Sequence, residues 1–215
     1  MRGVFITLEG ADGCGKSTQA ARLAERVAAT GREVVRLREP GGTSVSEKIR
    51  ALVLDPANDR IAPECELLLF EASRAQLVRE VVEPALGRGA VVVCDRYYDS
   101  TYAYQAAGRA LPEDVIRRAN ALGSCGVDPD RTLVLDMPAA DALARATRGG
   151  ADRMEAEGLG FQRRVSEGYL RLAAEEPERV RVVDAAGTVD EVEARLAAEL
   201  ADLLPGLLAQ NAGGE

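Results

Sequence analysis

The chain has 215 residues, 47% of them hydrophobic and 29% charged, with a formal net charge of -8. That length suits one substantial core rather than two. The composition excludes wholesale disorder, and the negative balance argues against a nucleic-acid polymer as partner unless arginines cluster. There is no histidine, so Ser-His and Cys-His hydrolases are excluded and acid–base work falls to carboxylates or to a substrate.

The apolar run within Met1 to Gly10 is too short for a signal peptide, and no later segment approaches a membrane span. Cys14, Cys65, Cys94 and Cys125 are far apart, without the paired spacing of a zinc site, and read as reduced thiols of a cytoplasmic protein. A single domain is expected over residues 1–208, with a flexible tail over 209–215.

In chain order, Gly3 to Glu9 reads as a short buried strand. Gly10 to Ser17 follows as Gly-Ala-Asp-Gly-Cys-Gly-Lys-Ser, the phosphate-binding pattern, and Thr18 to Thr30 has helical periodicity. Glycines at both ends let successive backbone N–H groups turn inward on phosphate oxygens. Lys16 is placed to reach the β and γ phosphates, and the Ser17 hydroxyl to meet a bridging Mg2+. The helix start presents its positive end to the same anion. The stretch Gly10, Ala11, Asp12, Gly13, Cys14, Gly15, Lys16, Ser17 and Thr18 is therefore the candidate ATP-binding segment. Cys14, among inward N–H groups and near Lys16, is expected to be a reactive thiol that ATP shields.

Glu33 to Arg38 reads as a second strand, ending in the rigid loop Glu39-Pro40-Gly41-Gly42-Thr43 where an open α/β sheet places ligands. Ser44 to Leu54 reads as helix, Asp55 to Ile61 as loop, and Pro63 to Leu86 as a long amphipathic helix interrupted near Pro84. Phe70 and Arg74, one turn apart, can stack on and hydrogen-bond one planar ligand, or belong to the core. Ala90 to Cys94 is a strand buried on both faces. Asp95 at its end reads either as an acid assisting magnesium or as a helix cap, shared with Asp99. Arg96 reads as a phosphate clamp or a solvated arginine.

Ser100 to Ala107 and Pro112 to Leu122 are expected helices, Arg131 to Asp136 a fourth strand, and Ala139 to Arg148 and Ala156 to Ala174 further helices. Arg179 to Asp184 is the last strand and Val189 to Leu204 the last helix. Tyr97, Tyr98, Tyr102 and Tyr104 gather with Gln105 beyond the clamp, which suits a nucleoside as well as packing. Arg145, Arg148 and Arg153 surround a double glycine, reading as a mobile basic flap at about residues 145–156 or as a solvated loop. Strands alternating with helices, without a hairpin signal, argue a parallel sheet covered on both faces.

The ordered set is specific where the phosphate loop alone is generic. Leu8 to Thr18, Arg38-Glu39-Pro40-Gly41-Gly42-Thr43, Leu69-Phe70-Glu71-Ala72-Ser73-Arg74, Asp95-Arg96-Tyr97 through Gln105, and Asp152-Arg153-Met154-Glu155 together resemble the thymidylate kinases of the bacterial type with a basic lid. The likeness runs from Phe5 to about Leu200. It implies a P-loop NTPase-like three-layer α/β fold with five parallel strands, a homodimer, and transfer of the ATP γ-phosphoryl to dTMP. It places Phe70 on thymine, Arg74 at a base oxygen and Arg96 at the acceptor phosphate. Ser100, Thr101 and Gln105 would line the dTMP pocket, and Tyr104 would lie against the sugar. Asp12 would meet the sugar 3′-hydroxyl or the phosphate and its magnesium, with Ser17, Asp95 and Glu9 as the candidate metal residues.

Members that place an arginine within the loop have it at the position of Gly13, so the cation must here come from the lid. The expected catalytic set is Lys16, Arg96, Asp12, Arg148 and Arg153, and Cys14 departs from the more usual small apolar residue. Another nucleoside monophosphate kinase, or a partner-regulated nucleotide switch, are the alternatives.

Overall fold

A computed structural model describes residues 2–147 and 152–207. Arg148 and the tail 209–215, both singled out above, lie outside the described residues. Five parallel strands form one sheet in the order β2-β3-β1-β4-β5, where β1 is Val4–Glu9, β2 Val34–Arg38, β3 Val91–Asp95, β4 Arg131–Asp136 and β5 Val180–Asp184. The three central strands are apolar along nearly their whole length because helices cover both faces.

Side chains alternate between the two faces. Ile6 and Leu8 of β1, Val91 and Val93 of β3, and Leu133 and Leu135 of β4 meet α1 (Lys16–Ala29) and α9 (Val189–Ala198). Phe5, Val92 and Cys94 point the other way, toward α3 (Pro63–Leu77) and α4 (Glu83–Gly87). Val134 joins a third cluster with α8 (Leu159–Glu175), around Phe161, Val165 and Tyr169. Each such Val, Leu or Phe, removed from water, contributes roughly 1.5–3 kcal/mol.

Three elements depart from the simple pattern. The interruption expected near Pro84 is a π turn over Val78–Val82, after which the helix resumes as α4. Proline cannot donate to the preceding turn, and the wider turn absorbs the missing bond. Likewise α5 (Tyr98–Thr101) opens into a π segment, Tyr102–Gly108, that carries Tyr104 and Gln105. The last expected helix ends early, at Ala198, and continues as turns that still bury Leu200, Leu204 and Leu207. The remaining helices are α2 (Ser44–Leu54), α6 (Glu113–Gly123) and α7 (Ala139–Ala146). With β1 central, its carboxyl end brings Gly10 and the loop beside the ends of β3 and β4. Those ends open into one cleft.

Candidate active site

The cleft encloses about 450 Å³ and is lined on one side by Asp12, Gly13, Gly15, Lys16, Ser17 and Thr18. Helix α1 begins at Lys16 with no side-chain cap, so its first N–H groups are open to an anion. The Lys16 ammonium lies over the loop, donating to the carbonyls of Gly10 at 3.1 Å and Ala11 at 2.8 Å. Ser17 Oγ donates to the Asp95 carboxylate. Two hard oxygen atoms separated by 78 positions in sequence thus converge at the foot of the cleft.

Gly13 explains where the loop's missing cation went. Its φ is +85°, and a Cβ there would fall 2.0 Å from the carbonyl oxygen of Ala142 in α7. Helix α7 occupies the space a loop arginine would need. The same helix brings Arg145 to the cleft wall.

The opposite side of the cleft is built of side chains whose positions are fixed by carboxylates. Phe70 and Arg74 both face it, as their spacing predicts. Arg74 is 2% exposed. Its Nε donates to Glu39, its Nη1 to Glu71 and its Nη2 to Thr101 Oγ1 at 3.0 Å. Glu39 and Glu71 share that one guanidinium. Burial pushes the Glu39 carboxyl up to about 8, with Glu71 adding to the rise and Arg74 only partly offsetting it.

Arg96 adopts φ 74°, a left-handed conformation costly for a side chain-bearing residue and concentrated at functional sites. Its guanidinium is clamped between the Asp12 carboxylate and the Tyr104 hydroxyl, 2.9 Å away. It also donates to Ser100 Oγ at 3.1 Å and lies 4.9 Å from the Tyr104 ring centroid. Tyr104 in turn donates to Asp12 at 2.7 Å. Burial alone would raise the Asp12 pKa, yet Arg96, Lys16 and the Tyr104 hydroxyl bring it down to about 2. Asp12 is therefore a fixed negative charge between the two halves of the cleft.

Several expectations need revision. Glu9 is fully buried and does not line the cleft; it accepts from the Tyr97 N–H, Ser100 Oγ and Tyr169 OH, each within 2.7 Å. Its task is to hold the floor beneath Arg96 and Ser100, and burial raises its pKa to about 7. Gly10, Ala11 and Cys14 do not line the cleft either, which leaves backbone N–H groups rather than side chains as their means of meeting a phosphate. Cys14 is 4% exposed and packs with Leu8, Leu23 and Leu135, yet its Sγ also accepts from Lys16 Nζ at 3.7 Å, so the expected nearness to Lys16 holds while burial limits access to the thiol. Arg153 does not line the cleft: it donates to Val53 O at 2.7 Å and pairs with Glu66 at 2.6 Å, 6% exposed. It braces the flap against α2 and α3.

Arg38, Arg50, Met154 and Glu155 line the cleft without having been singled out as site residues. Arg50 is held by the Pro40 carbonyl at 3.0 Å, and burial lowers its pKa, with Arg38 adding to the effect. The clue was the Arg-Glu-Pro-Gly-Gly loop itself, whose far side is α2.

A family model described as thymidylate kinase matches residues 8–196. A thymidylate kinase of Rhizorhabdus wittichii is 49% identical over 208 residues, covering 95% of this chain and all of the relative. One of Deinococcus radiodurans is 50% identical over 202 residues, covering 94% and 98%. The crystal structure of the thymidylate kinase of Ehrlichia chaffeensis superposes with a TM-score of 0.78 at 30% identity, covering 93% of this chain and all of that one. These likenesses favour the kinase over the nucleotide switch. A phosphate loop, an opposed pocket of locked arginines and a full-length match place the chain in the thymidylate kinase family, as an ATP-dependent nucleoside monophosphate kinase.

Proposed function

We propose that ATP lies along residues 10–18 and dTMP between Phe70, Arg74, Arg96, Ser100, Thr101, Tyr104 and Gln105, so that the γ-phosphoryl and the acceptor phosphate meet between Lys16 and Arg96. The observation that carries this is a single cleft with an uncapped helix start on one wall and a base-sized set of fixed donors on the other. No protein base is required, because the acceptor phosphate oxygen is already a nucleophile. The protein's work is to hold two anions in line and to offset their repulsion. Lys16 and Arg96 do so from opposite walls, and Asp12 keeps Arg96 and Tyr104 oriented. Arg145 is the described lid arginine positioned to add the cation that Gly13 cannot; Arg148 is the other candidate.

Magnesium fits beside the loop. Ser17 and Asp95 supply two hard oxygens. That suits an ion completing its shell with phosphates and water. Bound there, Mg2+ would neutralise phosphate charge during transfer.

The arrangement also supports a homodimer. Of the eight exposed large hydrophobics among the described residues, five (Val45, Leu52, Leu68, Val115 and Leu122) lie on α2, α3 and α6, with α3 packed against both of the others. A second copy of the chain covers them, and Leu68→Glu with Leu122→Glu gives a monomer by light scattering. We infer a single domain with its lid at about 145–156 and a cytoplasmic location, where ATP and deoxynucleotides are made. A panel of acceptors with ATP and Mg2+ tests the central reading. Rapid ADP formation is expected with dTMP and far less with dCMP, dGMP or AMP, and equal rates with AMP would refute the substrate assignment.

A further inference from the structure

We propose that Glu66, a residue that does not itself line the cleft, sets the base preference of the acceptor pocket by fixing which end of the Gln105 amide faces the substrate. The proposal rests on the placement of dTMP given above. Glu66 sits in the first turn of α3 and is fully buried. Its Oε1 accepts from Gln105 Nε2 at 2.7 Å and from Arg109 Nε at 3.2 Å. Its Oε2 accepts from Arg109 Nη2 at 3.0 Å and lies 2.6 Å from Arg153 Nη2.

Two guanidinium groups on one buried carboxylate keep it ionised, and an ionised carboxylate only accepts. Gln105 must therefore turn its NH2 toward Glu66. The other end, the carbonyl oxygen, has no partner among the described residues, and Gln105 lines the cleft with Phe70 and Arg74.

A carbonyl acceptor at this point selects a base that offers a ring N–H. Thymine and uracil carry a hydrogen on N3, with carbonyl oxygens on both sides of it that suit the Arg74 guanidinium. Cytosine presents a lone pair at N3 and an amino group in place of one carbonyl. It would set acceptor against acceptor and donor against donor, leaving buried polar groups unpaired. An amide free to turn over would lose half of this discrimination, because its NH2 would serve the cytosine ring equally well. The positioning is done by a residue that never touches the base.

The test compares kcat/KM for dTMP and dCMP in wild type, Glu66→Gln, Gln105→Leu and the double variant. A glutamine at 66 can donate as well as accept, so the Gln105 amide is released to turn. The dTMP preference in Glu66→Gln is expected to fall at least about tenfold. In the Gln105→Leu background the same change should leave the ratio unaltered, as the two residues act as one unit. Activity lost equally on both substrates in Glu66→Gln, with Gln105→Leu still losing preference, would overturn the role of Glu66 and leave the dTMP placement standing. An unaltered preference in Gln105→Leu would overturn the placement as well.

Should Glu66→Gln not fold, the wild-type protein supplies the answer by NMR. The Gln105 side-chain NH2 signals, assigned by their loss in Gln105→Leu, should stay protected from exchange and nearly unmoved when dTMP is added. A large shift would mean that the NH2, not the carbonyl, faces the base.

Discussion

The two walls of the cleft recognise their ligands by different means. The loop wall is one contiguous stretch that presents backbone N–H groups, Lys16 and Ser17, and distant side chains meet it at two places only: Asp95 at Ser17, and Arg96 with Tyr104 at Gly10 and Asp12. The facing wall is assembled from α3, the end of β3 and the π segment, and its arginines hold their places through Glu39, Glu71 and Asp12. A phosphate is recognised anywhere a turn of backbone can be bent around it. A particular nucleoside needs side chains that cannot rotate, and each of those needs a partner.

That contrast is sharpened first by removing one cation from each wall. Lys16→Ala and Arg96→Ala should each lower kcat by roughly 10³-fold or more, the scale of a charged group acting on transferring phosphoryl. Lys16→Ala should chiefly weaken ATP binding and Arg96→Ala chiefly dTMP binding, as read by calorimetry. Loss of both affinities in either variant would show that the walls are not separable.

The lid arginines come next. Arg145 is exposed, with no side-chain partner among the described residues, so Arg145→Ala should lower kcat about 10²-fold with little change in Tm. Arg153→Ala should do the reverse. It strips one of two buried guanidinium partners from Glu66 while Arg109 remains, a loss of about 2 kcal/mol and thus about 6 °C in Tm, with the smaller effect on kcat. A large kcat defect in Arg153→Ala at unchanged Tm would restore it to the phosphates.

Thiol labelling followed by mass spectrometry probes the loop wall more gently. Cys65 is exposed and should react first, whereas Cys14 and Cys94 are buried and should stay unlabelled at the same rate with and without ATP. Protection of Cys14 by ATP would mean that the loop opens in solution.

The smallest effect concerns the carboxylates behind Arg74. Because the folded chain holds the Glu39 proton up to about pH 8 and the unfolded chain releases it near 4.5, stability from this group falls as pH climbs between those values. Glu39→Gln cannot ionise. Its Tm relative to wild type should rise by a few degrees between about pH 6 and pH 9, and a constant difference would mean that Arg74 keeps Glu39 ionised throughout.

Much of this was legible in the sequence, and the boundary is physical. Strands and the phosphate loop are local patterns, so β1, β2, β3, β4 and β5 lie within a residue or so of where alternation and apolar runs put them. Ser17 and Asp95 were each legible as candidate magnesium residues, but the hydrogen bond between them was not. The partners of Arg74 did not follow, since Glu39 lies 35 positions away and only folding joins them. At Cys14 the sequence placed the Lys16 ammonium rightly, 3.7 Å from Sγ, and missed the burial, because the leucines that close over the thiol include residues far away in the chain. Arg153 looked like a phosphate ligand because charge near glycines is visible in sequence and Glu66 beneath it is not.

The contact between Gly13 and α7 bears on how such enzymes can be interconverted. An arginine at 13 would have to adopt the positive φ of that glycine and displace the Ala142 carbonyl, so the loop cation and this lid helix exclude each other. Gly13→Arg made alone is therefore expected to cost activity, because α7 must move to admit the side chain. Chimaeras that exchange the loop and the segment from Ala139 onward as a pair should keep activity, and those that exchange either alone should lose it.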